Sequence, residues 1–127
     1  MGNNLTSRVT RGTMGELLVQ VYLLAHGVQA APPIRDSGND LIACRKGQFR
    51  ALQVKTRKIP SFSRRGFPEI YDGVVLVVLK EDDENFGNTK PIIYLMRRDE
   101  FERAESLGKK ALEPFRLNLE RINVLFQ

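Results

Sequence analysis

Cysteine and histidine are almost absent: 127 residues hold one of each, Cys44 and His26. A lone cysteine forms neither an intramolecular disulfide nor a multi-thiolate zinc site. A lone histidine excludes catalysis by a histidine pair. Long apolar runs are lacking too. The longest, Val74–Leu79, has six residues, against about 20 for a helix that spans a bilayer. No basic, apolar, small-residue signal opens the sequence. Met1-Gly2 with Thr6 meets a nominal myristoylation pattern, but no second membrane signal accompanies it. No internal repeat or long low-complexity stretch is present. These absences point to a reduced cytoplasmic setting, and the length to a single domain over residues 1–127.

Acidic residues are scarce in one half only. Residues 1–65 hold 11 basic side chains but just three acidic ones, Glu16, Asp36 and Asp40. Residues 66–127 hold 9 basic and 12 acidic. The total is a net charge of +5 and an isoelectric point near 9.7. A small protein reaches such a sum by chance; the uneven distribution points to a polyanion partner such as nucleic acid.

The spacing of apolar residues predicts the elements. Residues 1–12 are polar and read as a loose tail. Thr13 and Glu16 have the spacing of a capping box. Leu17, Leu18, Val21, Leu24 and Ala25 follow on a helical repeat that Gly27 ends. Pro32-Pro33 reads as an extended linker and Ser37-Gly38-Asn39 as a turn. Leu41–Cys44 and Phe49–Lys55 flank Lys46-Gly47 and read as a hairpin. Thr56–Gly66 is a basic loop. Val74–Leu79, with Gly73, is apolar at every position, the pattern of a strand buried on both faces. Glu81–Asn88 reads as an acidic, solvated turn and Ile92–Met96 as a further strand. Asp99 is expected to cap a helix that carries Phe101, Ala104 and Leu107 inward and stops at Gly108. The end is ambiguous: Leu119, Ile122 and Leu125 or Phe126 fit a short helix, while Phe115, Leu117 and Leu119 fit a strand. The expected fold is α/β, a central mixed sheet flanked by helices.

Four residues stand out by placement. Asp40 opens the first hairpin strand after a glycine turn. Gln53 and Lys55 lie two apart in its partner strand, so both point to one face, while Leu52 and Val54 point the other way. Antiparallel pairing brings the start of one strand near the end of the other. Glu16 reaches the same place if its helix packs on the sheet. Oxygen donors so grouped suit a hard cation such as Mg2+. Asp40 and the Gln53 amide oxygen are candidate ligands, with the Val54 backbone carbonyl beside them. Lys55 is positioned to orient water or stabilise charge on a phosphate oxygen. Each residue also has a structural reading. Glu16 completes a capping box, Asp40 serves a turn, and Gln53 and Lys55 occupy a solvated strand face. The order of the four carries the case.

That order resembles the PD-(D/E)XK nuclease superfamily. The matching residues are Gly15-Glu16 on a helix, Ser37-Gly38-Asn39-Asp40-Leu41-Ile42-Ala43, and Gln53-Val54-Lys55. The Glu and Ser-Gly–Asp spacing is similar to that of archaeal Holliday junction resolvases. The Gln-Val-Lys ending resembles the Q-x-K branch, which includes a cyanobacterial group I intron homing endonuclease. The likeness covers residues 10–57 and is loose beyond them. It implies a restriction-endonuclease-like core and a metal-dependent endodeoxyribonuclease that hydrolyses DNA phosphodiester bonds with Mg2+, or Mn2+ as a substitute. By position it makes Glu16, Asp40, Gln53 and Lys55 the catalytic set, with Glu16, Asp40, Gln53 and the Val54 carbonyl around the metal. Gln53 departs from the commoner Glu or Asp, and an amide holds Mg2+ more weakly than a carboxylate. A non-catalytic DNA-binding protein that keeps the fold is therefore the alternative, and an interaction domain with accidental spacing a third. Gln20, one turn after Glu16, is a further candidate for support of the site.

No acidic residue falls between Leu41 and Pro68, where Arg45, Lys46, Arg50, Lys55, Arg57, Lys58, Arg64 and Arg65 all lie. Arg57, Lys58, Arg64 and Arg65, with Arg8 and Arg11 from the tail, are the candidate phosphate contacts. Phe62 and Phe67 stack on bases or anchor the loop to the core. His26 is expected to serve the helix C-terminus and Cys44 to fill a small buried space. Duplex or branched DNA is the expected partner and the nucleoid the expected place of action. Cutting both strands calls for two sites, hence a homodimer or higher homo-oligomer.

Overall fold

A computed structural model of the chain describes residues 4–34, 38–80 and 90–127, with side chains from residue 9 onward. The myristoylation pattern at Met1-Gly2, Asp36, Ser37, the Glu81–Asn88 turn and the Arg8 side chain lie outside the described residues. Helix α1 spans Asn4–Ala25 and leads into strand β1, Gln29–Ala31. The hairpin strands β2, Leu41–Arg45, and β3, Gln48–Arg57, follow. Then come β4, Gly73–Val78, β5, Ile92–Arg97, and helix α2, Arg98–Arg103. Helix α3, Lys109–Leu112, runs into a 3-10 turn, Glu113–Phe115, and α4 spans Leu119–Leu125. The five strands lie in sequence order, antiparallel except for the parallel β3–β4 pair. The result is the expected α/β fold, a mixed sheet flanked by helices.

Alternation along the strands divides the core into two layers. Val75, Val77 and Leu79 turn toward α1 and pack with Val19, Leu23, Leu41, Leu52, Val54 and Leu95, and with Ile122 and Leu125 of α4. Val74, Leu76 and Val78 turn the other way and pack with Tyr71, Tyr94, Met96, Phe101, Leu107 and Leu112. Every residue of β4 is buried, which explains its unbroken apolar composition. Lys46 and Gly47 adopt φ of 50° and 80°. Two positive values in succession suit the tight turn that matches strand twist in a hairpin. A parallel pair needs a crossover of about a dozen residues or more, and the segment after Arg57 supplies it without a helix.

The structure corrects several expectations. The tail is helical from Asn4, so Thr13 lies in mid-helix, exposed, and caps nothing. Arg11 and Gly15 are buried, a tertiary effect that outweighs the two glycines' low helix propensity. Strand β1 is additional to the expected strands; it is three residues long and is followed by Pro32-Pro33, which donate no hydrogen bond. Helix α2 starts one residue before Asp99. The Glu100 carboxylate accepts the Arg97 N–H at 2.9 Å, and Asp99 instead pairs with the Arg97 guanidinium at 3.0 Å. This helix ends at Arg103, and Leu107 is buried beyond it. Gly108 precedes α3 rather than ending α2. Both readings of the last segment hold in part. Leu117 N–H donates to the Ile93 carbonyl at 2.9 Å alongside β5, and α4 then begins at Leu119, capped by the Asn118 side chain.

Candidate active site

Strand β3 has ten residues and β2 only five, and their pairing stops at Leu41 opposite Leu52. From Gln53 onward that edge of β3 lacks a strand neighbour among the described residues, and Asp40 fills the first gap. Its N–H donates to the Leu52 carbonyl at 3.1 Å. Its Oδ2 accepts the Val54 N–H at 2.8 Å, taking the place of the next rung of the ladder. In an extended strand one residue's N–H and C=O point the same way, so the Val54 carbonyl also faces this edge.

Helix α1 closes the other side. A Cβ on Gly15 would overlap Thr56 Oγ1, so the helix backbone rests directly on β3 and the next residue, Glu16, faces the gap. Between the two elements lies a cleft of about 600 Å³ lined by Arg11, Glu16, Asp40, Val54, Lys55 and Thr56, with Arg57 and Lys58 at its exposed rim. Burial, and then the negative charge of Asp40, raises the Glu16 carboxyl above its ordinary value. Two carboxylates therefore share one cleft and repel each other.

Gln53 is not among the cleft-lining residues. It is 8% exposed and lies on the sheet face shared with Lys55, and extending the β2–β3 register places it across from Asp40. Its Oε1 is buried without a hydrogen-bond partner among the described residues. A buried amide oxygen left bare is costly unless something supplies a positive charge or a proton. The cleft's own donors, two repelling carboxylates and an edge carbonyl, are oxygens of the kind a hard divalent cation takes. Among the described residues no three of His, Cys, Asp and Glu are grouped so that they could hold a metal ion. A cation here would rest on two carboxylates and neutral oxygens.

In structure the chain is similar to a bacterial homing endonuclease, I-Ssp6803I. The TM-score is 0.64 and the identity 18%, over 98% of this chain and 93% of that one. The fold is nuclease-like. No family model and no curated protein sequence matches the chain. Among the described residues no helix is long and apolar enough to cross a membrane.

The remaining candidates are dispersed. Arg11 is not on a loose tail but 9% exposed in the cleft wall. Arg64 Nε–H donates to the Phe101 carbonyl at 3.1 Å, which ties its guanidinium to α2. Arg65 is exposed on the crossover. Gln20 Nε2 reaches back toward the Glu16 carbonyl at 3.4 Å, and its side chain lines a groove beside β1, away from the cleft. His26 Nδ1 hydrogen-bonds the Tyr22 carbonyl at the helix end, and Cys44 is half-buried. Phe62 and Phe67 pack against the second core layer, as loop anchors do. Thr56 is a cleft residue beyond the sequence candidates. Its signal is Gly15 alone, a helical glycine whose missing Cβ leaves room for the Thr56 side chain, whereas Gly12 faces open space.

Proposed function

We propose that this protein is a divalent-metal-dependent endodeoxyribonuclease of the PD-(D/E)XK type, acting on duplex or branched DNA. One observation carries the reading. Glu16, Asp40, the Val54 carbonyl edge and Lys55 line a single cleft in a chain whose fold is shared with a homing endonuclease. Glu16, Asp40 and the Gln53 amide oxygen are the groups to hold Mg2+ or Mn2+, beside the Val54 carbonyl. Such an ion supplies positive charge at the scissile phosphate and makes water more acidic.

The chain's own groups do the rest. Asp40 is fixed by the Val54 N–H, so its free oxygen has a defined direction. Lys55 brings a cation to the same cleft, where it can orient the attacking water or neutralise charge building on a non-bridging phosphate oxygen. Arg57 and Lys58 at the rim, with Arg65 on the crossover, meet the DNA backbone. A homodimer presents two such clefts, one for each strand.

Gln53 favours a second reading, a DNA-binding protein without catalysis, because an amide is a weaker cation ligand than a carboxylate. Calorimetry with Mn2+ separates the two. The nuclease reading expects saturable binding that Asp40→Ala abolishes, followed by strand cleavage when DNA is added. Salt-sensitive DNA binding with no Mn2+ heat and no cleavage supports the second reading and overturns the first.

A further inference from the structure

The geometry points to Phe67 as the positioning residue for Lys55, an inference that rests on the nuclease reading of the cleft. Among the described residues Lys55 forms no ion pair with a carboxylate; its Nζ instead stands 5.2 Å from the centroid of the Phe67 ring. A cation over an aromatic face is held by the ring quadrupole. The ring is itself wedged in place. Its centroid lies 4.7 Å from that of Phe101 and 5.5 Å from that of Tyr71, tilted against both.

The backbone before the ring closes on the same ammonium. Gly66 adopts φ of 80°, and a Cβ placed there would lie 3.5 Å from Lys55 Nζ. The crossover that carries Gly66 and Phe67 is pinned to the helical side of the molecule. Phe62 N–H donates to the Leu107 carbonyl at 3.3 Å, Ser61 bridges Gly108, and Arg64 binds the Phe101 carbonyl. Lys55 is thus aimed by a seat built from the crossover rather than by a charge partner. Two residues before Phe67, the exposed Arg65 sits on the same segment. A phosphate contact made there acts on the piece of chain that sets the ammonium's position. A carboxylate partner would hold Lys55 in competition with substrate, whereas a ring holds the cation and leaves its N–H groups free to donate.

The test uses the full chain and the variants Phe67→Leu, Phe67→Met and Phe67→Tyr, with the methionine variant, whose unbranched chain adapts to the site, as the second choice if leucine unfolds the loop. The first readout is the NMR shift of the Lys55 ε-methylene protons, without DNA or metal. The wild-type ring current moves them upfield of the other lysines; leucine or methionine returns them, and tyrosine keeps them displaced. The second is single-turnover cleavage of DNA in Mg2+. Leucine or methionine lowers the rate constant roughly tenfold at unchanged DNA affinity, and tyrosine restores it. An ε-methylene shift insensitive to position 67, or an unchanged rate in the leucine and methionine variants, overturns the positioning role and leaves the nuclease reading standing. A wild-type protein that cleaves no DNA overturns the nuclease reading, and the catalytic meaning of the seat with it, while the shift still reports the contact.

Discussion

Two carboxylates facing one cleft cost a folded protein stability unless a proton or a cation joins them. Glu16 shows that cost, raised above its ordinary value of 4.5 by burial and then by Asp40. An acid whose folded-state value exceeds its unfolded one favours folding while protonated. That contribution is complete below the unfolded value and disappears as pH rises through the folded one. In EDTA, Glu16→Gln is therefore expected to melt above the wild type at neutral pH, and the gap closes below the ordinary glutamate range. Mg2+ reverses the order, raising the wild-type Tm more than that of the variant. Thermal melts across pH, with and without Mg2+, check both signs. A wild type that melts above Glu16→Gln in EDTA at neutral pH would contradict the proximity of the two acids. At this scale the sequence was legible where residue types pair by simple rules: period two put Gln53 and Lys55 on one face, and antiparallel pairing brought Asp40 to them. The Phe67 seat was not legible, because nothing local to residues 55 and 67 announces a contact made across a crossover.

At the scale of elements, strands β2 to β5 are legible in the sequence and strand β1 and the helices less so. A strand such as β4 writes its burial into every residue, and Lys46-Gly47 writes its turn into two. Helix α1 began nine residues before the position that Thr13 and Glu16 suggested. A capping box is a local pattern, whereas Gly15 is helical and buried against Thr56 of β3, and Arg11 is buried one turn before it. Gly15 gives this a sharp test. In an isolated helix Gly→Ala is favourable by about 1 kcal/mol. Here Gly15→Ala meets Thr56 and is expected to destabilise by about 1–3 kcal/mol. It also lowers activity, because it lifts Glu16 away from β3. Thr56→Ala removes the overlapping oxygen and recovers most of the loss, so denaturant melts of the four-member cycle should show strong coupling. Additive effects would mean that α1 does not rest on β3 at this point.

Across the whole molecule, the uneven charge seen in the sequence becomes a surface. The acid-poor stretch from Leu41 to Pro68 maps onto the hairpin, the cleft rim and the crossover. Two of the first half's three acids, Glu16 and Asp40, are gathered inside the cleft. Arg45 and Arg50 do not join that surface, because Asn123 and the carbonyls of Leu125 and Gln127 engage them. Arg57 and Arg65 are exposed, and Arg57→Ala is expected to lower the slope of log K against log salt by about one for DNA binding. Fluorescence anisotropy over a salt series measures it. An unchanged slope would remove Arg57 from the interface.

The most direct measurement is single-turnover cleavage of DNA by the wild type, Asp40→Ala and Lys55→Ala, in Mg2+ and in EDTA, each protein first shown to be folded by circular dichroism. Assignment of catalysis to this cleft requires cleavage by the wild type in Mg2+ alone. Both variants should be slower by at least about 100-fold while still binding DNA. Cleavage by the wild type in EDTA, or by either variant at the wild-type rate, would contradict it.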